Sequence, residues 1–241
     1  MKSLNDFVDI LNAIDKELYY ADASRSIKKI WSSKKDSRIT VPKEILNNFN
    51  EIHKINKYNE VNKYVISRKD VFNSLPKKDN YLSIITFYLT VLVWGYPNGG
   101  RGDNINNIIN SKDDIVRQYL YIKENNSKLN LNEIYSKLSK GNLKIKGMGP
   151  STFTKVLYFM EFKNRDGIRA LIFDKIMEEL INLKAFKEIN NILYKKGFKK
   201  IDNKNSDHYL HYCELMEEVA DKLNVSLFAI EYFLFYILRT I

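Results

Sequence analysis

"LKIKGMGPSTFTKVLYF", Leu143 to Phe159, breaks an otherwise helical chain on a Gly-x-Gly pair. Just before it, Leu131, Ile134, Tyr135 and Leu138 place apolar residues at helical spacing, which predicts a helix. Ser139 to Asn142 interrupts that pattern, Lys144 to Pro150 reads as a tight turn, and Ser151 to Phe162 reads as a second helix. Gly147 and Gly149 permit positive φ and close backbone approach. Pro150 suits the first position of the helix that follows. Free amides at such a helix start, with the positive end of its dipole, can hold a phosphate. Lys144, Lys146 and Lys155 add positive charge nearby. Two helices joined by such a hairpin can grip a DNA backbone without reading bases. The expected backbone contacts are Lys144, Lys146, Gly147, Met148, Gly149, Pro150 and Ser151.

The rest of the chain fits that helical reading. Its 241 residues suffice for one large domain or two small ones, and 44% apolar residues support a real core. Phe7, Ile10, Leu11, Ile14 and Leu18 form an apolar stripe, so the N-terminus reads as an amphipathic helix rather than a signal peptide. Leu215, Val219 and Leu223, then Leu227, Ile230, Leu234 and Ile237, predict two more helices. Tyr81 to Tyr96, "YLSIITFYLTVLVWGY", carries no charge but is too short to span a membrane, so a buried core helix is expected. "SRITVPKEI" (37–45) and "NKYVISRKDV" (62–71) could be short extended pieces, although Pro42 starts a helix equally well. With 9 Gly and 4 Pro, punctuation is sparse, and the expected fold is all-α. Residues 1–80 form a mainly helical segment without a motif. Residues 81–241 hold the motifs and form one unit with it.

Charge and cysteine content narrow the function. Lys and Arg number 39 against 29 Asp and Glu, a net charge of +10. Such an excess favours a polyanionic partner, although a lysine-rich coding bias is an alternative source. Cys213 is the sole cysteine, which excludes an intramolecular disulfide and a Cys₄ metal centre and suits a cytoplasmic protein. His208 and His211 lack a matching set of metal ligands, so no metal is expected.

Two further stretches join the hairpin. "WGYPNGGRGDN", Trp94 to Asn104, holds four of the nine glycines and places Arg101 in a loop directly after the apolar helix. A plain surface turn is the alternative. "ALIFDKIMEEL", Ala170 to Leu180, places Asp174 at a helix start, 27 residues past Gly147. An ordinary N-cap is the alternative there, and one residue can serve both roles.

Taken together, these stretches resemble the helix-hairpin-helix DNA glycosylase superfamily, in a divergent bacterial branch of the 8-oxoguanine glycosylase fold. The hairpin "KIKGMGPSTFTK", the aspartate in "ALIFDKI", the loop "WGYPNGGRGDN" and the terminal "AIEYFLFYIL" carry the resemblance, from about Leu82 to the C-terminus. It implies helical subdomains flanking a DNA and base cleft, with double-stranded DNA as partner. It implies a base-excising enzyme with Asp174 as its catalytic aspartate. A carboxylate there would stabilise the positive charge that builds on the sugar as the glycosidic bond breaks. Strand-nicking members carry a lysine where this chain has Ser151, so simple base excision is expected. Lys155, one turn on, and Lys175, beside Asp174, are the substitute amines. Phe153 and Ile176 also depart from the usual alanine and histidine. In the resemblance, the loop fills the gap left by a flipped base. Arg101 and Asn104 are the candidates for that role, with Tyr96 as a stacking wedge. Phe173, His208, Tyr209 and Tyr212 are the candidates for the base pocket, with plain packing as their alternative. No cofactor is required, although a monovalent cation at the hairpin is compatible with the family, and a monomer is expected. The substrate is either an oxidised purine or a hypermodified viral base removed in defence. A non-catalytic DNA-binding protein and a lysine-rich helical scaffold are the competing readings.

Overall fold

The apolar run 81–96 decides the architecture. In the computed structural model it forms a helix, Tyr81–Gly95, with every residue from Ile84 to Trp94 buried. A helix apolar on all sides has no face for water, so the other elements must wrap around it. The structure describes residues 2–14, 23–27, 31–32, 39–53, 63–96, 98–195 and 197–240.

In chain order the described helices are α1 (Val8–Ala13), α2 (Lys43–Ile52), α3 (Arg68–Asn73), α4 (Tyr81–Gly95), α5 (Asn104–Asn110) and α6 (Lys112–Glu124). They continue with α7 (Leu131–Ser139), α8 (Pro150–Phe159), α9 (Lys175–Asn182), α10 (Lys187–Lys195), α11 (Ser206–Leu223) and α12 (Leu227–Thr240). Four short strands lie among them: β1 (Ala23–Ile27), β2 (Trp31–Ser32), β3 (Ile39–Thr40) and β4 (Lys63–Ser67). β1 pairs antiparallel with β4, Ala23 opposite Ser67, and β2 pairs parallel with β3. Among the described residues the fold is mostly helical, its paired strands lie within residues 23–67, and two isolated bridges join Lys2 to Phe186 and Lys163 to Arg169. Both extended candidates supply a strand, and Pro42 also caps α2.

The N-terminal stripe is shorter than its spacing predicts. A 3₁₀ turn, Leu4–Phe7, leads into α1, which stops where Ile14 turns to an extended conformation, ψ 92°. Leu4, Leu11 and Ile14 are buried, but Ile10 is exposed, and Leu18 lies outside the described residues.

α4 contacts α2, α3, α5, α6 and α8. Buried polar side chains fix some of these contacts. Asn48 donates to Thr86 Oγ1 at 2.8 Å, and His53 bonds Thr90 Oγ1 at 3.0 Å. The Tyr88 hydroxyl donates to Gln118 of α6, whose amide donates to the Leu143 carbonyl at 2.8 Å. The core helix is thus linked by hydrogen bonds to the start of the hairpin.

The N- and C-terminal parts share one apolar core and are clasped by a buried ion pair. Arg68 begins α3 and is fully buried. Its guanidinium meets both carboxylate oxygens of Glu231 in α12, at 3.1 and 3.3 Å. It also donates to the Tyr158 hydroxyl of α8 and lies 5.0 Å from the Trp94 ring centre. Removing one member of a buried pair leaves an uncompensated charge. Arg68→Met should therefore lower the unfolding free energy by about 3–5 kcal/mol in urea denaturation. Adding Glu231→Leu should recover most of that loss.

Candidate active site

The hairpin owes its shape to alternation. Leu143 and Ile145 point inward and are buried, whereas Lys144 and Lys146 are exposed. Met148 is also buried, so it anchors the turn with its side chain and offers only backbone outward. The two glycines have different tasks. Gly147 has φ +87°, and a Cβ there would lie 2.4 Å from the Asn104 carbonyl oxygen. The hairpin and the 96–104 loop therefore meet backbone to backbone. Gly149 has φ −93° and acts as the N-cap of α8, with Pro150 in the first turn. The amides of Gly149 and Ser151 donate to no described residue, so both are available to an anion.

Asp174 ends a buried strap, Ala170–Phe173. The strap's polar groups are met from both sides. The Phe173 amide donates to Thr154 Oγ1 of α8 at 3.1 Å. The hydroxyls of Tyr209 and Tyr212 donate to the carbonyls of Leu171 and Ile172 at 3.1 and 3.0 Å. Phe173 stacks on Tyr212 with ring centres 4.6 Å apart. All three rings are fully buried, and none lines the adjoining cavity. The aromatic cluster named as a base-pocket candidate packs on the strap, with the hydroxyls of Tyr209 and Tyr212 each committed to a strap carbonyl. His208 accepts from the Asp202 amide at 2.9 Å and stands outside the cavity lining as well. Cys213, behind the strap, is fully buried, and burial pushes its thiol pKa well up, which makes it a poor nucleophile.

Asp174 divides its two oxygens. Oδ1 accepts from the amides of Ile176 and Met177, each at 3.1 Å, and so caps α9. Oδ2 lies 3.7 Å from Nζ of Lys155. The carboxylate is thus both an N-cap and one half of an ion pair. Lys155 is 5% exposed. Its ammonium donates to the Ser151 carbonyl at 2.8 Å and to Ser151 Oγ at 3.0 Å. Tyr96 covers it, with Nζ 5.3 Å from the ring centre. The Tyr96 hydroxyl meets Thr152 Oγ1 at 2.8 Å and donates to Ser151 Oγ at 3.2 Å, so its ring is held in place. Gly95 makes room for the lysine stem, because a Cβ there would come within 2.9 Å of Lys155 Cδ. Lys175 is exposed and pairs instead with Glu179 at 3.7 Å.

A cavity of about 830 Å³ is lined by Ser151 and Tyr96, both of which touch Lys155, whereas Lys155 and Asp174 themselves do not line it. Arg101 and Asn104 line one side, with Gly147, Gly149 and Ser151 next to them. Arg101 and Asn104 are exposed, on a loop whose Gly99, Gly100 and Gly102 all have positive φ. The structure therefore gathers the glycine loop, the hairpin and the start of α9 around one opening. Its far wall, Glu178 and residues 202–204, escaped the sequence reading because "IDNKNS" carries no periodic or motif signal.

The family model described as "Putative 8-oxoguanine DNA glycosylase OGG-like protein" matches residues 25–235, most of the chain. The chain belongs to this OGG-like family. No curated protein and no solved structure matches it significantly. The OGG-like family is one of DNA glycosylases, which implies DNA as substrate. No helix among the described residues is long and apolar enough to cross a membrane.

The contrast between the glycines is testable. Gly147→Ala forces a Cβ into the Asn104 carbonyl at a strained φ, with an expected destabilisation of about 1–3 kcal/mol. It should also weaken duplex binding, since loop and hairpin must part. Gly149→Ala meets no neighbour within 4 Å, and its stability should change by less than about 1 kcal/mol. Thermal unfolding and duplex titration of both variants check the pair.

Proposed function

We propose that this OGG-like protein excises a damaged or modified base from duplex DNA, with Asp174 and Lys155 at the reacting sugar. The observation that carries the reading is the buried pair itself: an amine 3.7 Å from a carboxylate, beside a hairpin with open amides. The hairpin amides and Lys144 and Lys146 take the DNA backbone. Arg101 and Asn104 enter the space vacated by the extruded nucleotide. The sugar then approaches Ser151 and the pair behind it.

Ser151 stands where strand-nicking relatives carry a lysine, and for that reason hydrolysis was expected. Helix geometry alters the weighing. Lys155 lies one turn on and curls back until its Nζ touches Ser151 Oγ. The amine therefore reaches the place from which it is missing in the sequence. Asp174 takes a proton from the ammonium, and the neutral Nζ attacks the sugar C1′. The carbon–nitrogen bond to the base breaks, and the base departs after gaining a proton. Nζ then loses its remaining proton as the C1′–O4′ bond breaks and O4′ takes a proton, which opens the sugar to an imine. Loss of a C2′ proton from that imine expels the 3′ phosphate by elimination. In the hydrolytic variant water attacks instead, and Asp174 stabilises the developing charge. Tyr96 must swing aside for the amine to reach the sugar, since it covers the amine.

The family description favours an oxidised purine as substrate. The alternative is a bulkier, hypermodified viral base removed in defence. Loss of excision with binding retained separates catalysis from mere DNA binding. Asp174→Asn should slow base release by about 10²–10⁴-fold, read by mass spectrometry on a panel of lesion and modified-phage duplexes. Its duplex affinity should stay within about threefold, since the hairpin amides and lysines are untouched. Release by wild type that persists in Asp174→Asn contradicts the assignment. Binding by wild type without release of any base supports the non-catalytic alternative.

A further inference from the structure

The far wall of the cavity has no part in the chemistry just described, yet a set of hydrogen bonds holds it together. Glu178 stands one helical turn beyond Asp174 on α9, so the two carboxylates share a face. Glu178 is 9% exposed. Its Oε2 accepts from the Asn203 amide at 3.2 Å, and its Oε1 accepts from no described residue. The loop it touches is pinned on every side. Tyr135 donates its hydroxyl to the Asn203 carbonyl. Asn182 brackets Ile201, donating to its carbonyl at 2.8 Å and accepting its amide at 2.9 Å. Asp202 donates its amide to His208. Asn203 is therefore offered to the cavity from a fixed backbone, and its carboxamide bonds to no described residue.

The charge on this wall restricts what can face it. Glu178, Glu179 and Asp202 line the same opening as the hairpin that would hold DNA. Carboxylates repel phosphate, so the part of the wall formed by Glu178, Asp202 and Asn203 suits an uncharged group better than the backbone. Lys175 and Lys204 occupy the same wall and can hold phosphates at its edge. A base edge can face the wall, provided that it donates, because an ionised carboxylate only accepts.

We propose that Glu178 and Asn203 read the hydrogen-bonding edge of the extruded base and select a base that presents N–H donors, as guanine does with its ring N–H and its amino group. The assignment rests on the glycosylase reading. Oε1 of Glu178 accepts the amino group in a charge-assisted bond. Asn203, with both a donor and an acceptor, takes the neighbouring ring positions. A base without the amino group leaves the carboxylate oxygen unpaired in a buried setting. Sites built to hydrogen-bond a substrate reject its unpaired analogue more strongly than apolar pockets do.

The test compares two duplexes that differ by one group: 8-oxoguanine, and the same oxidised purine without its 2-amino group. Single-turnover release is measured for wild type, Glu178→Gln and Asn203→Ala, with duplex affinity and melting temperature alongside. Wild type should favour the amino-bearing base by about tenfold or more. Glu178→Gln keeps an oxygen for the Asn203 amide, so the loop stays anchored. It should shrink the preference to about threefold or less, with affinity and melting temperature unchanged. Asn203→Ala should slow release of both bases without weakening binding. A wild type indifferent to the amino group, or a preference that survives in Glu178→Gln, overturns the assignment while leaving base excision intact. Failure of wild type to release any base from a wider lesion panel overturns the glycosylase reading and this inference together.

Discussion

Two opposite charges, the ammonium of Lys155 and the carboxylate of Asp174, are held almost out of water 3.7 Å apart. Burying them is costly unless each finds further partners. The surroundings supply those partners. Asp174 takes two helix amides, and Lys155 takes the carbonyl and hydroxyl of Ser151. Around them, Gly95 leaves space for the lysine stem, Thr154 ties the strap to α8, and two tyrosines tie it to α11. Much of the C-terminal half thus serves to place one carboxylate beside one amine.

The opening beside Ser151 has two chemistries that suit two parts of a nucleotide. In the proposed function the open amides and Arg101 on one side of this opening, with the hairpin lysines outside it, take phosphate. Glu178, Asp202 and Asn203 form a side that phosphate would avoid. In the same proposal, a duplex laid across the first side would leave an extruded base facing the second. The apolar helix α4 links the two halves of this arrangement to the core. Its last residues lead directly into the glycine loop, and through Tyr88 and Gln118 it also holds the start of the hairpin.

The parts of this design that are local in sequence could be read from it. The hairpin, the buried helix at 81–96 and the aspartate at a helix start each have a periodicity or a punctuating residue within about a dozen positions. The β1–β4 pairing could not be read so directly, because "ASRSI" has no alternation of apolar residues. Tyr96 looked like a free wedge, but its hydroxyl is committed to Ser151 and Thr152 across a tertiary contact. Tyr209 and Tyr212 looked like pocket aromatics, yet they satisfy a strap whose own carbonyls give no signal in the sequence. Lys155 is the most instructive residue. Position alone places it one turn too far along the helix. Only its curl back onto Ser151, in the space left by Gly95, brings the amine to the site.

The central claim is that this amine, supported by Asp174, is the group that reaches the sugar. Borohydride reduction during base release, followed by peptide mapping of the protein–DNA adduct, tests it most directly. A single adduct is expected, on the peptide containing Lys155, with its loss in Lys155→Gln. An adduct on another lysine, or base release by wild type with no adduct at all, would contradict it.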